Sequence, residues 1–353
     1  AVGEEVNASG RDVLTALVAG TEAAIAIALP VPNRFHQRGF HTTAVTSTFA
    51  STLIASKLKK FDGARTVQAL GICGSFVSGL IECVPAGADA KRLHAGWPAM
   101  AGIIASQLAG IDYSGPASIF EGKLGLYNSM LRGEEIDLDE LFSTLGQDWL
   151  LSDVRPKIYP CCHYLQAFID CAASLRKEIL PDLSRIESVM CRVPQGAVNI
   201  VCEPWARKLD PTTAYEARFS LPYSVALMLT KGRAGSPEFS EACLFDSEIR
   251  ALMPKIRYEV DPGREVKDMP GWVCITMADG TQYVADVPVV RGDRHSPIEQ
   301  SEIEAKFLEN VSHLEAASAH GLMSTVMSLD LQEDLKGLTS KFSTGMPSRN
   351  FHT

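Results

Sequence analysis

The sequence predicts a mainly α-helical protein, a large all-helical domain with a smaller α+β unit inserted into it. Three observations carry this expectation. Residues 12–153 hold apolar stripes at helical spacing, joined by short connections and without strand-helix alternation. Between residues 186 and 287 β-branched alternation and a hairpin turn appear. After residue 295 a helix-start signal returns the chain to helix. The expected domains are therefore 1–153, 154–294 and 295–353, the last rejoining the first.

Residues 12–29 form an Ala-rich apolar helix stopped by Pro30 and Pro32. Residues 33–43 make a loop dense in His and Arg, and polar density between two apolar helices favours function over packing. Residues 43–60 follow as helix, with Val45, Phe49 and Leu53 on one stripe. Residues 64–82 read as another, with Gly71, Gly74, Ser78 and Gly79 opposite its apolar side. The helix beyond Trp97 ends near Gly110, a short one covers 126–131, and a capping box at Asp137–Glu140 opens one through Leu145.

Composition changes near Val154, where Pro156 and Pro160 keep the chain extended. A helix is expected from Cys161, strands over 186–201, a short helix over 222–230, a strand over 255–260 and a hairpin over 272–287 turning at Asp279-Gly280. Ser296-Pro297-Ile298-Glu299 supplies N-cap, first-turn proline and third-position glutamate for the next helix. Two short helices run to about Leu338, and residues 340–353 read as a polar tail.

The 353 residues carry a net charge of -9, which argues against a nucleic-acid partner. Nine scattered cysteines without a C-x-x-C pair fit reduced thiols, so the expected compartment is cytoplasmic. Residues 93–111 lack Asp, Glu, Lys and Arg, yet Pro98, Ser106, Gln107 and the many Ala and Gly residues fit a packed soluble helix better than a membrane span. The start has no signal-peptide character and no initiator Met, and reads as an internal point of a longer gene product.

The stretch Gly87–Pro98 organises the chemistry. It sets Lys91, Arg92 and His94 within four positions at the opening of a helix, with Lys91 and His94 on one face. The macrodipole opposes cations there unless an anion uses them. A solvated basic turn is the alternative. Lys157 and His163 flank a second expected helix start in the same way, with Pro160 at or next to its first position.

Gly39-Phe40-His41-Thr42-Thr43, the 87–97 stretch, Phe120-Glu121-Gly122, residues 157–163 and residues 219–226 together resemble the MmgE/PrpD family in order along nearly the whole chain. Its members include 2-methylcitrate dehydratases, cis-aconitate decarboxylases and an iminodisuccinate epimerase. The resemblance implies a helical domain with a smaller α+β lid near 154–294, a homodimer, no cofactor and no metal, and a small polycarboxylate substrate bound between the two domains. It implies His41, Lys91, His94 and Lys157 as catalytic residues, with Tyr159, Cys162 and His163 binding substrate, and Arg38 and Arg92, in the same two stretches, are further candidate substrate-binding residues. Relatives carry additional N-terminal helices that supply an Asp and a His, and this chain begins after them.

Proton removal beside a carboxylate builds a second negative charge, which Lys91 and Lys157 are suited to stabilise. An imidazole titrates near working pH, which makes His41 a candidate base or acid and His94 a candidate second one or a residue that orients a carboxylate. Cys162 as nucleophile would need a lowered pKa, and Cys161-Cys162-His163 lacks zinc-ligand spacing. Dehydration of a methylcitrate-like acid ranks first, epimerisation of an aspartate-derived dicarboxylate second, and a catalytically silent helical scaffold third.

Overall fold

The computed structural model describes residues 1–132, 136–137, 145–179 and 183–343, with side chains through residue 341. Residues 138–144 of the expected capping-box helix and most of the tail from 340 lie outside these residues. The chain forms two units, one of Ala1–Ser152 with Leu314–Thr353, the other Asp153–His313.

In the first unit, helix α1 (Gly10–Ala28) starts at a capping box in which Ser9 and Asp12 satisfy each other's backbone N–H groups. Helix α2 (Thr42–Leu58) is its centre, packed between α1 and α4 (Leu93–Gly110). Glycines allow the close approach: a Cβ at Gly20 would meet Ile54, and one at Gly102 would meet the Ser51–Thr52 backbone. Thr48 and Thr52 are fully buried in α2, and each hydroxyl donates to the carbonyl one turn back, so neither brings an orphan donor into the core.

Helix α3 (Gly63–Cys73) is shorter than the expected 64–82. After it come a 3-10 turn at Gly74–Phe76 and an extended stretch in which Leu80 pairs with Phe40. Gly74, Ser75, Ser78 and Gly79 weaken helix there, and Gly74 is occupied by Ile119, which reaches within 2.2 Å of a Cβ position. Helix α5 is Leu126–Leu131.

The second unit is built on helix α6 (Gln166–Ile179) and a four-stranded sheet of order β2-β1-β3-β4. Strand β1 (Ile186–Pro194) pairs parallel to β2 (Ile256–Asp261) and antiparallel to β3 (Gly271–Met277), which forms the expected hairpin with β4 (Gln282–Val287). Gly271 lets β3 approach the Ala167–Phe168 backbone of α6. Helix α7 (Leu221–Lys231) is buried through Leu229.

Three expectations in this unit are corrected. Residues 195–201 are helix, because Pro194 ends the strand in extended conformation and Ala197, Val198 and Val201 bury one helical face. The helix expected from Cys161 begins at Gln166 after a 3-10 turn, so Lys157 lies in the extended run upstream and Pro160 is not its first residue. Ser296 is no N-cap. Its N–H donates to Asp293, and helix α8 (Gln300–Asn310) starts at Glu299 through a capping box with Glu302. Helix α8 stays with the sheet-containing unit, where Glu302 accepts from Arg291 and Lys306 donates to the Lys157 carbonyl. Helix α9 (Ala316–Met327) belongs to the first unit. Among the described residues no helix is long and apolar enough to cross a membrane.

Candidate active site

In the first unit the His- and Arg-rich loop delivers His41 to the residue just ahead of α2, in extended conformation. A short clasp fixes it there. The His41 N–H donates to the Gly79 carbonyl at 2.8 Å, and the Ile81 N–H donates to the Gly39 carbonyl at 2.9 Å. Gly79 has φ +107°, and a Cβ on it would stand 2.3 Å from that of Ala44. The position therefore needs glycine for conformation and for clearance.

The 3-10 turn Asp89–Arg92 leads into α4, whose second residue is His94. The Nδ1 atoms of His41 and His94 are 3.1 Å apart, and the rings are tilted by 39°. One nitrogen must carry the proton and the other a lone pair. Two imidazolium rings would oppose both N–H groups and charges, so the contact holds one proton between the two Nδ1 atoms.

His36 stands edge-on to His41, with ring centroids 5.6 Å apart, and its Nδ1 shares a hydrogen bond with the Thr42 hydroxyl at 2.8 Å. Burial lowers the pKa of His36 and of His94, and the Lys91 charge lowers both further. Lys91 is thus electrostatically coupled to both rings. They are held as neutral proton acceptors at pH 7.

A cavity of about 600 Å³ opens beside His94, walled by Leu80, Leu93, Trp97 and Met100 among others. Trp97 is oriented by its indole N–H on the Phe76 carbonyl at 3.0 Å. Among the described residues His94 is the one titratable side chain in this wall. Arg38 instead reaches the Leu131 carbonyl at 3.5 Å, and Arg92 makes an exposed ion pair with Asp89 at 3.3 Å.

The other predicted residues cluster in the second unit. Gln166, 3% exposed, templates the turn after Lys157. Its Oε1 accepts from the Ile158 and Tyr159 N–H groups at 3.1 and 2.9 Å, and its Nε2 donates to the Tyr159 carbonyl at 3.0 Å. The Tyr159 hydroxyl donates to Asp170 at 2.7 Å, and Arg291 grips both Asp170 oxygens at 2.8 and 3.0 Å. Burial, reinforced by Asp170, pushes the Tyr159 hydroxyl pKa up.

His163 has a buried Nε2 without a hydrogen-bond partner among the described residues. Its pKa is lowered to about 4, by burial first and then by Lys157 and Arg155. Arg155 is paired with Asp293 at 2.6 Å. Cys162 is buried, with its N–H on the Arg218 carbonyl at 2.8 Å. Burial pushes the neighbouring Cys161 thiol up, which keeps it protonated. Among the described residues no three His, Cys, Asp or Glu side chains stand close enough to hold a metal ion.

His36, Gln166, Arg291 and Lys306 were not singled out by sequence. His36 had a signal, since it shares the polar loop with His41. The others act through contacts distant along the chain.

A two-unit, mainly helical protein with an imidazole pair beside an apolar cavity, and a lysine-bearing loop on its α+β unit, is the class defined so far. The chain belongs to the MmgE/PrpD family: residues 1–139 match the MmgE/PrpD N-terminal domain and residues 159–331 the C-terminal domain. It is 27% identical to mouse cis-aconitate decarboxylase over 348 residues, which cover 94% of this chain and 68% of that protein. It is 23% identical to a cis-aconitate decarboxylase-like protein of Aspergillus oryzae over 351 residues, covering 95% of this chain and 72% of the other.

Proposed function

We propose that the chain is a lyase that breaks a bond next to a carboxylate of a small di- or tricarboxylate, using its own side chains for proton transfer. The observation that carries this reading is the His41–His94 contact of 3.1 Å at the wall of an apolar cavity. His41 and His94 move the proton, Lys91 and Lys157 stabilise carboxylate charge, and His163 helps bind substrate. An arriving polyanion offsets the Lys91 charge and raises the histidine pKa values, so the pair takes up a proton as substrate binds.

Within this class the names of both relatives favour decarboxylation of an unsaturated tricarboxylate of the cis-aconitate kind over the dehydration that ranked first from sequence. The carbon–carboxylate bond breaks and CO₂ leaves. Its electron pair shifts through the alkene to the carbon beside another carboxylate, where the imidazole pair delivers a proton. The apolar wall suits an alkene skeleton better than a hydroxyl-rich one. Epimerisation is disfavoured because it needs groups on opposite faces of one carbon, and rings in direct contact leave no room for a carbon between them.

Proton NMR in deuterated water with cis-aconitate tests this. Decarboxylation gives two new terminal-alkene protons and one deuterium in the product. Hydration consumes the alkene, and epimerase-type chemistry exchanges an α-proton of a saturated acid without net loss. If neither cis-aconitate, methylcitrate nor an aspartate-derived dicarboxylate changes, the enzymatic reading fails. From the same resemblance we propose a homodimer, which sedimentation velocity tests.

A further inference from the structure

We propose that Lys306 of α8 binds a substrate carboxylate together with Lys157, as a second cation of the α+β unit. This rests on the polycarboxylate reading and deepens it.

The Lys306 ammonium donates to the Lys157 carbonyl, which brings α8 against the loop that carries Lys157. Lys306 is half-buried, and burial together with the Lys157 charge lowers its pKa. Two ammonium groups thus lie close enough to repel each other. Among the described residues neither has a carboxylate within ion-pair distance. Two acidic residues of α8 are engaged elsewhere, Glu302 with Arg291 and Glu304 with the Gln300 amide, and the Glu309 carboxylate lies beside Gly235. Glu309 favours the charged form of Lys306 through space, and this effect ranks behind burial and the Lys157 charge, which lower the pKa.

The same loop holds the orphaned Nε2 of His163, which also feels the Lys157 charge. Arg155, the other nearby cation, is neutralised by Asp293. Among the described residues, two neighbouring cations without an ion-pair partner and a buried ring nitrogen without a hydrogen bond form a set of donors that lacks an acceptor. One carboxylate supplies it, relieving the repulsion and accepting the hydrogen bonds.

Calorimetric titration of the whole chain with tricarballylate, glutarate and methylsuccinate tests this, since the latter two each lack one carboxylate of the first. Lys306→Met is expected to weaken tricarballylate binding about tenfold or more. It is expected to weaken at least one dicarboxylate by less than about threefold, because removing the cation and removing its carboxylate are not additive. Circular dichroism and melting temperature confirm the variant's fold. Equal loss for all three acids would mean that Lys306 supports the loop only, and the inference would fall. Unchanged tricarballylate affinity in Lys306→Met, with loss in Lys157→Met, would also overturn it while leaving the polycarboxylate reading intact. No binding of any of these acids by the unaltered protein would remove both.

Discussion

The Nδ1 atoms of His41 and His94 meet at 3.1 Å although the residues are 53 positions apart in sequence. One nitrogen donates and one accepts, so neither ring reaches its working protonation state without the other. If the pair carries the proposed proton transfer, His41→Asn and His94→Asn each lower kcat by a factor of about 10² to 10⁴. The double variant loses no more than the worse single one. Steady-state rates of the three variants check this. Multiplicative losses would show that the rings act independently.

Lys91 lowers the pKa of His36 and His94, second to burial in both cases. Removing its charge in Lys91→Met therefore raises both, as read from imidazole shifts in a proton–nitrogen NMR titration. Turnover is expected to vanish. The melting temperature stays nearly unchanged, since the ammonium contributes little to the core. A large drop in stability would make Lys91 a structural residue.

His41, Lys91 and His94 were legible in the sequence because short motifs carry them, and the helix boundaries at 28, 58 and 110 followed from apolar periodicity and breakers. The contact between the rings was not legible. It depends on the end of α3 at Cys73 and on the Gly79 clasp, where glycine clearance overrides a helical stripe. Ser296 misled for a related reason: Asp293 captures its N–H, and Glu299 caps the helix instead. Tyr159 and Lys157 were visible as residue types. Their surroundings come from Gln166, Arg291 and Lys306, whose partners are set by folding rather than by local pattern.

Gly79 supports the His41 backbone and touches Ala44. Gly79→Ala adds a Cβ at positive φ into a gap of 2.3 Å. The cost is about 2–4 kcal/mol from backbone strain and overpacking, measured by urea unfolding. If the clasp positions the catalytic pair, residual activity falls more than the folded fraction does.

Gln166 holds the Ile158, Tyr159 and Cys161 turn through both ends of its amide. Gln166→Leu leaves two half-buried backbone N–H groups without this acceptor, at about 1–3 kcal/mol. Denaturant midpoints check the loss. A change within about 0.5 kcal/mol would show that water or a neighbouring group replaces the amide.

His163 predicts the direction of acid sensitivity. Its pKa is about 4 in the folded protein against 6.5 for the ordinary side chain, because burial, Lys157 and Arg155 all oppose the charged form. Above pH 6.5 both folded and unfolded chains hold it neutral, and it contributes no pH dependence. As pH falls from 6.5 towards 4, the unfolded chain takes up a proton that the folded one refuses, so stability declines across that window. Allowing for partial exposure of the ring, the decline is about 1–2 kcal/mol. His163→Phe keeps a ring of similar bulk and removes both the titration and the orphaned Nε2. Its melting temperature at pH 7 is expected to match or exceed that of the unaltered protein, and to fall less between pH 6.5 and 4.5. Parallel melting curves for the two proteins across that range would show that His163 is not a site of the acid loss.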